Sequence, residues 1–344
     1  MREKVAVALS GGIDSSVAAA LLIEEGYEVL GVTMTLGSFI DDTEAKQVAC
    51  ILEIPLHTID LTRMFQSKVI DYFCTEYLAC RTPNPCITCN KLIKFGKLLN
   101  YALSLGARYF ATGHYVKIFC DEERKRFLVS KAKDRVKDQS YMLWSLSQKQ
   151  LEPLKMPLGF LKKEEVRVLA KKLNLPLKKE ESQEICFVKE KNYAQFLKAH
   201  FKKSVLPGKI IDKESNVLGE HKGLSFYTIG QRKRLGVAHS TPLYVIDIIA
   251  DKNVVVVGEE KELYKKSLVA HSVNCILNEH IPSVIGVEAQ VRYNMQPSPA
   301  TVTVLNDKVL VEFVHPQRAI SPGQSVVFYQ GDLLAGGGII ESSS

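Results

Sequence analysis

The stretch Ala8-Leu9-Ser10-Gly11-Gly12-Ile13-Asp14-Ser15-Ser16 decides the fold of this 344-residue chain. The residues that lead into it, 4–9 (KVAVAL), predict a short buried strand, and residues 16–25 (SVAAALLIEE) predict a helix. Gly11 and Gly12 permit positive φ angles and let a ligand approach the backbone closely. The free N–H groups at the start of the helix point into this turn, with the positive end of the helix dipole behind them. We therefore expect the turn to bind phosphate.

The loop lacks the G-x-x-x-x-G-K-[ST] pattern of a Walker A motif, so it carries no lysine for the terminal phosphates. A Ser-Gly-Gly-x-Asp-Ser loop resembles the pyrophosphate loop of the ATP pyrophosphatases, which cleave ATP between its α and β phosphates. The resemblance implies that the loop holds the departing pyrophosphate and that Asp14 helps to place Mg²⁺. An ordinary glycine-rich strand-to-helix turn is the alternative, and the flanking serines and aspartate at the start of a βαβ unit argue against it.

Length and composition describe a globular protein of two or three domains. Hydrophobic residues make up 46% of the chain and charged residues 24%, and no apolar run approaches the ~18 residues that a membrane span needs. The N-terminus shows no signal-peptide pattern, which predicts a cytoplasmic location. The net charge of +7, with basic clusters at 162–179 and 232–234, suits a polyanionic partner, although lysine-rich helix faces are more often simply solvated.

Strand and helix patterns alternate over the first 190 residues, which predicts a parallel α/β sheet. Ligands collect at the carboxyl ends of such strands, so we expect the 10–15 loop, Met34 and Gly113-His114 to share one nucleotide crevice. After residue 200, short strands separated by turn signals predict a small antiparallel barrel in the C-terminal third. These strands are expected at 243–249, 254–257, 287–293, 300–305, 309–314, 325–329 and 333–339, with hairpin turns at 306–307 and 330–332.

The eight cysteines do not indicate a disulfide framework in a cytosolic protein of this size. Cys86 and Cys89 lie in the segment NPCITCN, where Asn90 is expected to cap a helix from residue 91 and thereby lower the pKa of Cys89. Cys186 follows basic residues that could stabilise a thiolate. A structural zinc site is disfavoured, because it needs four ligands and the chain has no second Cys-x-x-Cys or Cys/His pair.

Eight sequence blocks together resemble the bacterial tRNA-specific 2-thiouridylases, from one end of the chain to the other: ALSGGIDSS, GVTM, RTPNPCITCNKLIKF, ATGHY, KDQSYML, SQEICFV, SFYTIGQRK and PQRAISPGQSVVFYQGD. The pyrophosphate loop indicates only the superfamily, whereas NPCITCN, the ICF cysteine and QRAISPGQ are specific. The resemblance implies a Rossmann-like (adenine nucleotide alpha hydrolase-like) parallel sheet domain at 1–200. A small central β-rich domain at 201–265 and a C-terminal antiparallel β-barrel that contacts tRNA at 266–344 are expected to follow.

The resemblance also implies a mechanism, in which ATP adenylates the C2 oxygen of the wobble uridine and a persulfide on Cys186 delivers sulfur. Cys89 then acts as a nucleophile, either by forming a transient disulfide with Cys186 or by helping to expel AMP. The base must leave its stack to react. The expected partners are a tRNA with a wobble uridine and a sulfur donor, either a desulfurase or a relay protein; a monomer is favoured.

Two sets of binding residues follow from the resemblance. The expected ATP-binding residues are Ala8, Leu9, Ser10, Gly11, Gly12, Ile13, Asp14, Ser15, Met34 and Gly113. The expected tRNA-contacting residues are Asn84, Pro85, Cys86, His114, Lys137, Asp138, Gln139, Arg292, Tyr293 and Gln324. Without the family, structural alternatives remain: His114 could be a satisfied histidine at a sheet end, Lys137-Asp138-Gln139 a polar loop, and Arg292-Tyr293 part of an alternating strand, which is the favoured interpretation for that last pair.

The chain departs from the family pattern at three places. Some members carry an aspartate, the proposed general acid/base, where Cys86 stands; a thiol there can shuttle a proton. With Cys86 present, the alternative is an iron–sulfur-dependent thiolase in which Cys86, Cys89 and Cys186 are cluster ligands. The segment 35–43 is shorter than usual, and Arg234 replaces a glycine.

The sequence leaves two rival functions, one enzymatic and one from another class. An ATP pyrophosphatase that adenylates a small metabolite would need neither tRNA nor paired thiols. A non-catalytic RNA-binding module would need neither the 10–15 loop nor reactive cysteines.

Overall fold

A computed structural model gives the fold of residues 2–175, 185–188, 193–200 and 206–344. Its strands are β1 (Lys4–Ala8), β2 (Glu28–Thr35), β3 (Leu56–Asp60), β4 (Tyr109–Ala111), β5 (Val116–Asp121), β6 (Arg126–Lys131), β7 (Leu154–Lys155), β8 (Gly208–Ile211), β9 (Val217–His221), β10 (Tyr244–Ile249), β11 (Val254–Gly258), β12 (Tyr264–Cys275), β13 (Val284–Gln290), β14 (Ser298–Leu305), β15 (Lys308–Arg318), β16 (Ser325–Gln330) and β17 (Leu333–Ser343).

Two of the helices contain a π-helical stretch. The helices are α1 (Ile13–Glu24), α2 (Thr43–Ile51), α3 (62–78, π-helical over Gln66–Ile70), α4 (85–104, π-helical over Asn90–Leu98), α5 (Gln148–Leu151), α6 (Lys163–Lys172) and α7 (Tyr193–His200). Short 3₁₀ turns lie at Ser140–Leu143, Pro157–Phe160, Leu224–Phe226, Ala250–Lys252 and Glu260–Leu263. Within the part of the chain that the structure describes, no helix is both long and apolar enough to cross a membrane.

The N-terminal domain is built on a parallel sheet in the strand order β3-β2-β1-β4-β7. Strand β1 lies at its centre, where Val5 pairs with Val29 of β2 on one side and with Tyr109 of β4 on the other. Both faces of β1 are covered, so the unbroken apolar run Val5–Val7 is fully buried, as expected of a central parallel strand. The predicted α/β domain is confirmed, and α1 begins at Ile13, three residues earlier than predicted.

The C-terminal domain is a closed antiparallel barrel, as predicted. Its strands follow the order β12-β15-β14-β13-β16-β17, and β12 pairs with both β15 and β17, which closes the ring. The predicted hairpins are present, because Leu305 pairs with Lys308 and Gln330 with Leu333. The sequence did not predict β12 as a strand. It begins near the expected boundary between the last two domains.

A hairpin of the N-terminal half joins the barrel sheet. Strand β6 pairs with β17 through Ser130 and Leu333, and β5 pairs with β6. The Arg126 guanidinium donates to the Ile276 carbonyl at 3.2 Å, across the same junction. The division at 1–200, 201–265 and 266–344 stays a prediction, and this hairpin couples its first and last parts.

The central region forms a small sheet in the order β10-β11-β8-β9. Arg234, which stands where the family usually has glycine, lies close to this sheet in sequence and adopts a φ of 64°. This is the left-handed region, where a side chain costs about 1–2 kcal/mol and glycine costs little. The backbone conformation therefore gives a physical reason for the family's glycine.

Candidate functional site

The turn between β1 and α1 is held by its own serines. The Ser10 N–H donates to Ser15 Oγ at 3.2 Å, and the hydroxyls of Ser15 and Ser16 both donate to the Gly12 carbonyl. Gly11 has a φ of +78°, and a Cβ at Gly11 would lie 2.2 Å from Glu44 Cβ. Gly12 caps α1 with a φ of −81°. The turn is therefore a rigid cup whose centre is the N-terminus of a helix.

The end of β4 lies directly against this cup. A Cβ at Gly113 would come within 2.6 Å of the Asp14 carbonyl carbon and 2.7 Å of the Ser15 nitrogen, both backbone atoms. Only a glycine allows the end of β4 to approach the first turn of α1 so closely. This contact holds the end of β4 against the helix that follows β1.

A cavity of about 240 Å³ opens at these strand ends. The 10–15 loop, Met34 and Gly113-His114 meet there, as expected from the sequence. Gly11, Gly12 and Ile13 shape the turn beside the cavity without lining it. The lining residues are Ala8, Leu9, Ser10, Asp14, Ser15, Val32, Thr33, Met34, Ile40, Lys94, Leu98, Thr112, Gly113, His114 and Gln139.

A buried lysine supplies the cation that the loop lacks. Lys163, at the start of α6, donates to both carboxylate oxygens of Asp14 at 2.7 and 2.9 Å, and its side chain is only 3% exposed. The Tyr115 hydroxyl also donates to Asp14 Oδ1 at 2.7 Å. In the sequence, Lys163 is one member of a basic cluster, and this contact was not predicted. It spans 149 residues, and the sequence around Lys163 gives no sign of its partner.

The helix that carries two of the cysteines begins earlier than predicted. Asn84 caps α4, because its side-chain oxygen accepts from the Cys86 N–H at 3.2 Å and Pro85 occupies the first turn. Asn90 lies inside the helix and donates to the Met142 carbonyl at 3.2 Å. The expected cap at Asn90 is therefore wrong, and Cys89 does not lie next to a helix N-terminus.

The predicted low pKa of Cys89 is wrong for the same reason. Burial raises the pKa of the Cys89 thiol to about 12, and the nearby Lys94 ammonium opposes this shift only in part. The pKa of Cys186 is also raised, first by desolvation and then by the neighbouring Cys86. Desolvation raises the pKa of Cys86 too. At neutral pH all three groups are thiols, so a thiolate forms only when a base removes the proton.

The structure brings these three cysteines into one neighbourhood. A thiolate at Cys186 or Cys86 disfavours ionisation of Cys89, which requires that the sulfur atoms lie near one another. All three are free thiols. Among the described residues, no three His, Cys, Asp or Glu side chains converge as a metal-ligand set.

Cys186 is exposed, but the residue after it is an anchor. Phe187 is 2% exposed and makes edge contacts with Phe65 and Phe73 at ring-centroid distances of 5.7 and 5.3 Å. The Val188 N–H donates to the Ile185 carbonyl, which closes a turn around the cysteine. Cys186 thus lies in a turn that the buried Phe187 ring anchors.

His114, expected to touch tRNA, is buried at the cavity wall. Its Nδ1 lies 2.7 Å from the Thr112 hydroxyl, and the Phe95 ring packs 5.4 Å away. Burial, followed by the positive charge of Lys94, lowers the pKa of His114 to about 3. The imidazole is therefore neutral at physiological pH.

This burial predicts an acid-sensitive fold. Unfolded His114 gains a proton near pH 6.5, whereas the folded side chain stays neutral down to about pH 3, so stability falls as the pH drops below about 7. Between pH 7 and pH 5 the loss from this residue is about 2 kcal/mol. His114→Asn should lose correspondingly less stability over that interval. Urea unfolding at both pH values measures it, and equal losses in both proteins would contradict the assignment.

Two side chains of the loop Lys137-Asp138-Gln139 accept hydrogen bonds from backbone N–H groups of neighbouring segments. Asp138 Oδ1 accepts from the Ala132 N–H at 2.7 Å, and Gln139 Oε1 accepts from the Tyr115 N–H at 3.0 Å. The Tyr293 hydroxyl donates to the Asp138 carbonyl at 3.0 Å. Lys137 is half-buried. The loop is therefore a fixed element of the site, and its contact with tRNA stays a prediction.

Arg292 and Gln324, also expected to contact tRNA, join the domains to one another. The Arg292 guanidinium donates to the carbonyls of Ile229 and Ala319, at 3.1 and 2.9 Å, and to the Ser321 hydroxyl. Gln324 donates to the Thr82 carbonyl at 3.0 Å. The Arg292 contacts link the central region to the barrel. The Gln324 contact holds the segment that precedes α4, the cysteine helix. Desolvation, followed by the charges of Asp138 and Cys86, raises the pKa of Tyr293, so Tyr293 lies near Cys86.

Three family models cover nearly the whole chain. They are described as a tRNA methyl transferase HUP domain at residues 3–190, a tRNA methyl transferase PRC-barrel domain at 194–259 and an aminomethyltransferase beta-barrel domain at 265–340. The tRNA-specific 2-thiouridylase MnmA 1 of Caldanaerobacter subterraneus subsp. tengcongensis is 49% identical over 99% of this chain and 98% of that protein. The chain belongs to the tRNA-specific 2-thiouridylase family.

Other relatives agree with this membership in the 2-thiouridylase family. The tRNA-specific 2-thiouridylase MnmA of Carboxydothermus hydrogenoformans is 48% identical over 99% of this chain and 98% of its own length. That of Clostridioides difficile is 45% identical over 100% and 99%. A solved 4-thiouridine synthetase–RNA complex with bound ATP is 21% identical over 50% of this chain and 41% of that chain, with a TM-score of 0.36, which is too low to support an argument.

Proposed function

We propose that this protein is an ATP-dependent tRNA-uridine 2-sulfurtransferase that converts the wobble uridine into 2-thiouridine, AMP and pyrophosphate. The observation that carries the proposal is a cavity at the pyrophosphate loop that is also lined by the helix that bears Cys86 and Cys89. The 10–15 loop with its Asp14–Lys163 pair lies on one side, and the cysteine helix supplies Lys94 to the same cavity. The relatives at 45–49% identity are all named for this activity. Methyl transfer, which two family-model descriptions mention, would give a pyrophosphate loop and paired thiols no role.

The first step we propose is adenylation of the uridine. The C2 oxygen attacks the α-phosphorus of ATP, the bond to the β-phosphate breaks, and pyrophosphate leaves from the cup formed by residues 10–15. N3 of the uracil loses its proton in this step. The oxygen at C2 is thereby converted into part of a good leaving group, AMP.

Sulfur transfer follows in two bond exchanges. The terminal sulfur of a Cys186 persulfide attacks C2, the C2–O bond breaks and AMP departs with its electron pair. The Cys89 thiolate then attacks the Cys186 sulfur, so that a Cys89–Cys186 disulfide forms and the thiolate on C2 is released. N3 regains a proton to give 2-thiouridine. An external dithiol reductant must reduce the disulfide before the next turnover.

Because the thiol pKa values are raised, a group of the protein must accept the proton that Cys89 loses before it attacks. Cys89 must lose its proton to attack, and burial makes that loss costly until a proton acceptor is at hand. Cys86, exposed on the first turn of the same helix, is the side chain we propose as proton carrier in place of the family's aspartate. The attack step should therefore speed up as the pH rises.

Mg²⁺ is the ion that the triphosphate would carry, and Asp14 fits it as the single carboxylate lining the cavity among the described residues. Bound there, the ion would neutralise phosphate charge. Asn84, Pro85 and Cys86 begin the helix that lines the cavity, which supports their proposed contact with the target base. Gln139 lines the cavity and the Tyr293 hydroxyl donates to the Asp138 carbonyl, which supports the proposed contact of the 137–139 loop and Tyr293 with tRNA. The net charge of +7 supports binding of the negatively charged tRNA backbone.

The proposal is tested with the full chain, tRNA, Mg-ATP and a persulfide donor under anaerobic conditions, followed by nucleoside analysis. We expect one AMP and one pyrophosphate for each wobble 2-thiouridine, and none of the three without tRNA. ATP cleavage that leaves the tRNA unmodified would favour a synthetase acting on a small metabolite. Tight tRNA binding without any ATP cleavage would favour a non-catalytic RNA-binding module.

A further inference from the structure

Lys94 is a half-buried cation with no counter-charge among the residues that the structure describes. Its ammonium makes no hydrogen bond and no ion pair within that part of the chain, although it lines the cavity together with Asp14 and Ser15. An ammonium that is partly withdrawn from water without a partner is costly. Such a group is retained where a ligand supplies the missing negative charge.

The charges around the cavity leave an excess of one positive charge. Asp14 is the single carboxylate among the described lining residues, and Lys163 already neutralises it with two hydrogen bonds. His114, the other titratable base of the wall, is neutral at physiological pH because burial lowers the pKa of its imidazole. Lys94 therefore makes the cavity a site for an anion.

The position of Lys94 indicates which part of the anion it meets. The phosphate cup at residues 10–15 forms one wall, whereas Lys94 projects from α4, five residues after Cys89 and within the π-helical stretch Asn90–Leu98. Its charge also acts on the thiols of Cys86 and Cys186. The ammonium thus lies between the pyrophosphate end of the site and the sulfur end.

We infer that Lys94 is a catalytic residue that binds the α-phosphate, first in ATP and then in the phosphodiester that links AMP to C2 of the uridine. Its ammonium stabilises the charge that develops on the α-phosphate oxygens when pyrophosphate leaves, and again when sulfur displaces AMP. No bond to Lys94 forms or breaks. This inference rests on the proposed function and adds to it a residue that acts at the reacting phosphorus.

The test compares Lys94→Met with Lys94→Arg and with a matched control, Lys97→Met, which removes an exposed lysine from the same helix. Pyrophosphate release in the first turnover with tRNA reports adenylation, and filter binding reports ATP affinity. We expect Lys94→Met to slow pyrophosphate release by about 10²–10³-fold, Lys94→Arg to recover most of the rate, and Lys97→Met to match the wild type.

Stability separates a chemical role from a structural one. Loss of this half-buried cation should leave the thermal midpoint of Lys94→Met equal to or above that of Lys97→Met. A lower midpoint, or normal pyrophosphate release with only the sulfur step slowed, would overturn the inference. If the wild-type protein itself releases no pyrophosphate with tRNA, the proposed function fails instead, and the two failures are distinguishable.

Discussion

Lys163→Met is expected to slow adenylation by about 10²–10³-fold, because it removes the buried cation that holds Asp14 at the phosphate cup. The same change breaks a partly buried ion pair. Since the Asp14 side chain is 34% exposed, the loss of unfolding free energy is on the order of 2 kcal/mol, below the range for fully buried pairs. First-turnover pyrophosphate release and urea unfolding measure the two effects.

Lys171→Met is the matched control, since it removes an exposed lysine from the last turn of the same helix. Asp14→Asn completes a double-mutant cycle. The double variant should be little worse than either single variant, because both remove one interaction. Additive losses in adenylation would show instead that Lys163 and Asp14 act independently of each other.

Cys186→Ser and Cys89→Ser are expected to reduce sulfur transfer from a persulfide donor by at least about 10³-fold, since each removes a sulfur that takes part in bond exchange. Both variants should still release pyrophosphate with tRNA at near wild-type rates, because the adenylation step uses neither thiol. Nucleoside analysis after one turnover measures the first quantity, and the pyrophosphate assay measures the second.

Cys120→Ser, at an exposed cysteine on β5, serves as the control and should thiolate tRNA normally. The two site variants should differ in one respect. Cys186→Ser should carry no donor-derived persulfide at its site, whereas Cys89→Ser should accept the persulfide and stall. Normal thiolation by Cys186→Ser with a persulfide donor would refute the role of that residue.

The phosphate cup could be predicted because its determinants are local. The buried run of β1, the two glycines and the apolar residues of α1 are all contained in residues 4–25. The hairpins of the barrel were predictable for the same reason. Short turn sequences fix their registers, and the pairing of Leu305 with Lys308 follows from two intervening residues.

The chemistry of the thiols could not be predicted from the sequence, because two asparagines compete as helix caps. Asn84 and Asn90 are both good capping residues, and only the packing of α4 against Met142 shows that the first one is used. That choice moves Cys89 from a helix end into the buried interior and reverses the direction of its pKa shift.

Long-range contacts explain the other differences. Lys163 reaches Asp14 across 149 residues, and the β5–β6 hairpin joins a sheet whose remaining strands begin at residue 264. The half-buried Arg292 guanidinium donates hydrogen bonds to the carbonyls of two other segments, at Ile229 and Ala319. Lys163 and Arg292 look like ordinary surface cations until these tertiary contacts are known.

The central claim, that sulfur passes through a persulfide on Cys186, is tested most directly by a single turnover of metal-free protein. The protein is loaded with one persulfide, freed of excess donor and mixed anaerobically with Mg-ATP and tRNA. We expect up to one wobble 2-thiouridine for each persulfide, together with a Cys89–Cys186 disulfide detected by mass spectrometry. Thiolation that appears only after iron and sulfide reconstitution would contradict the claim and make Cys86, Cys89 and Cys186 cluster ligands.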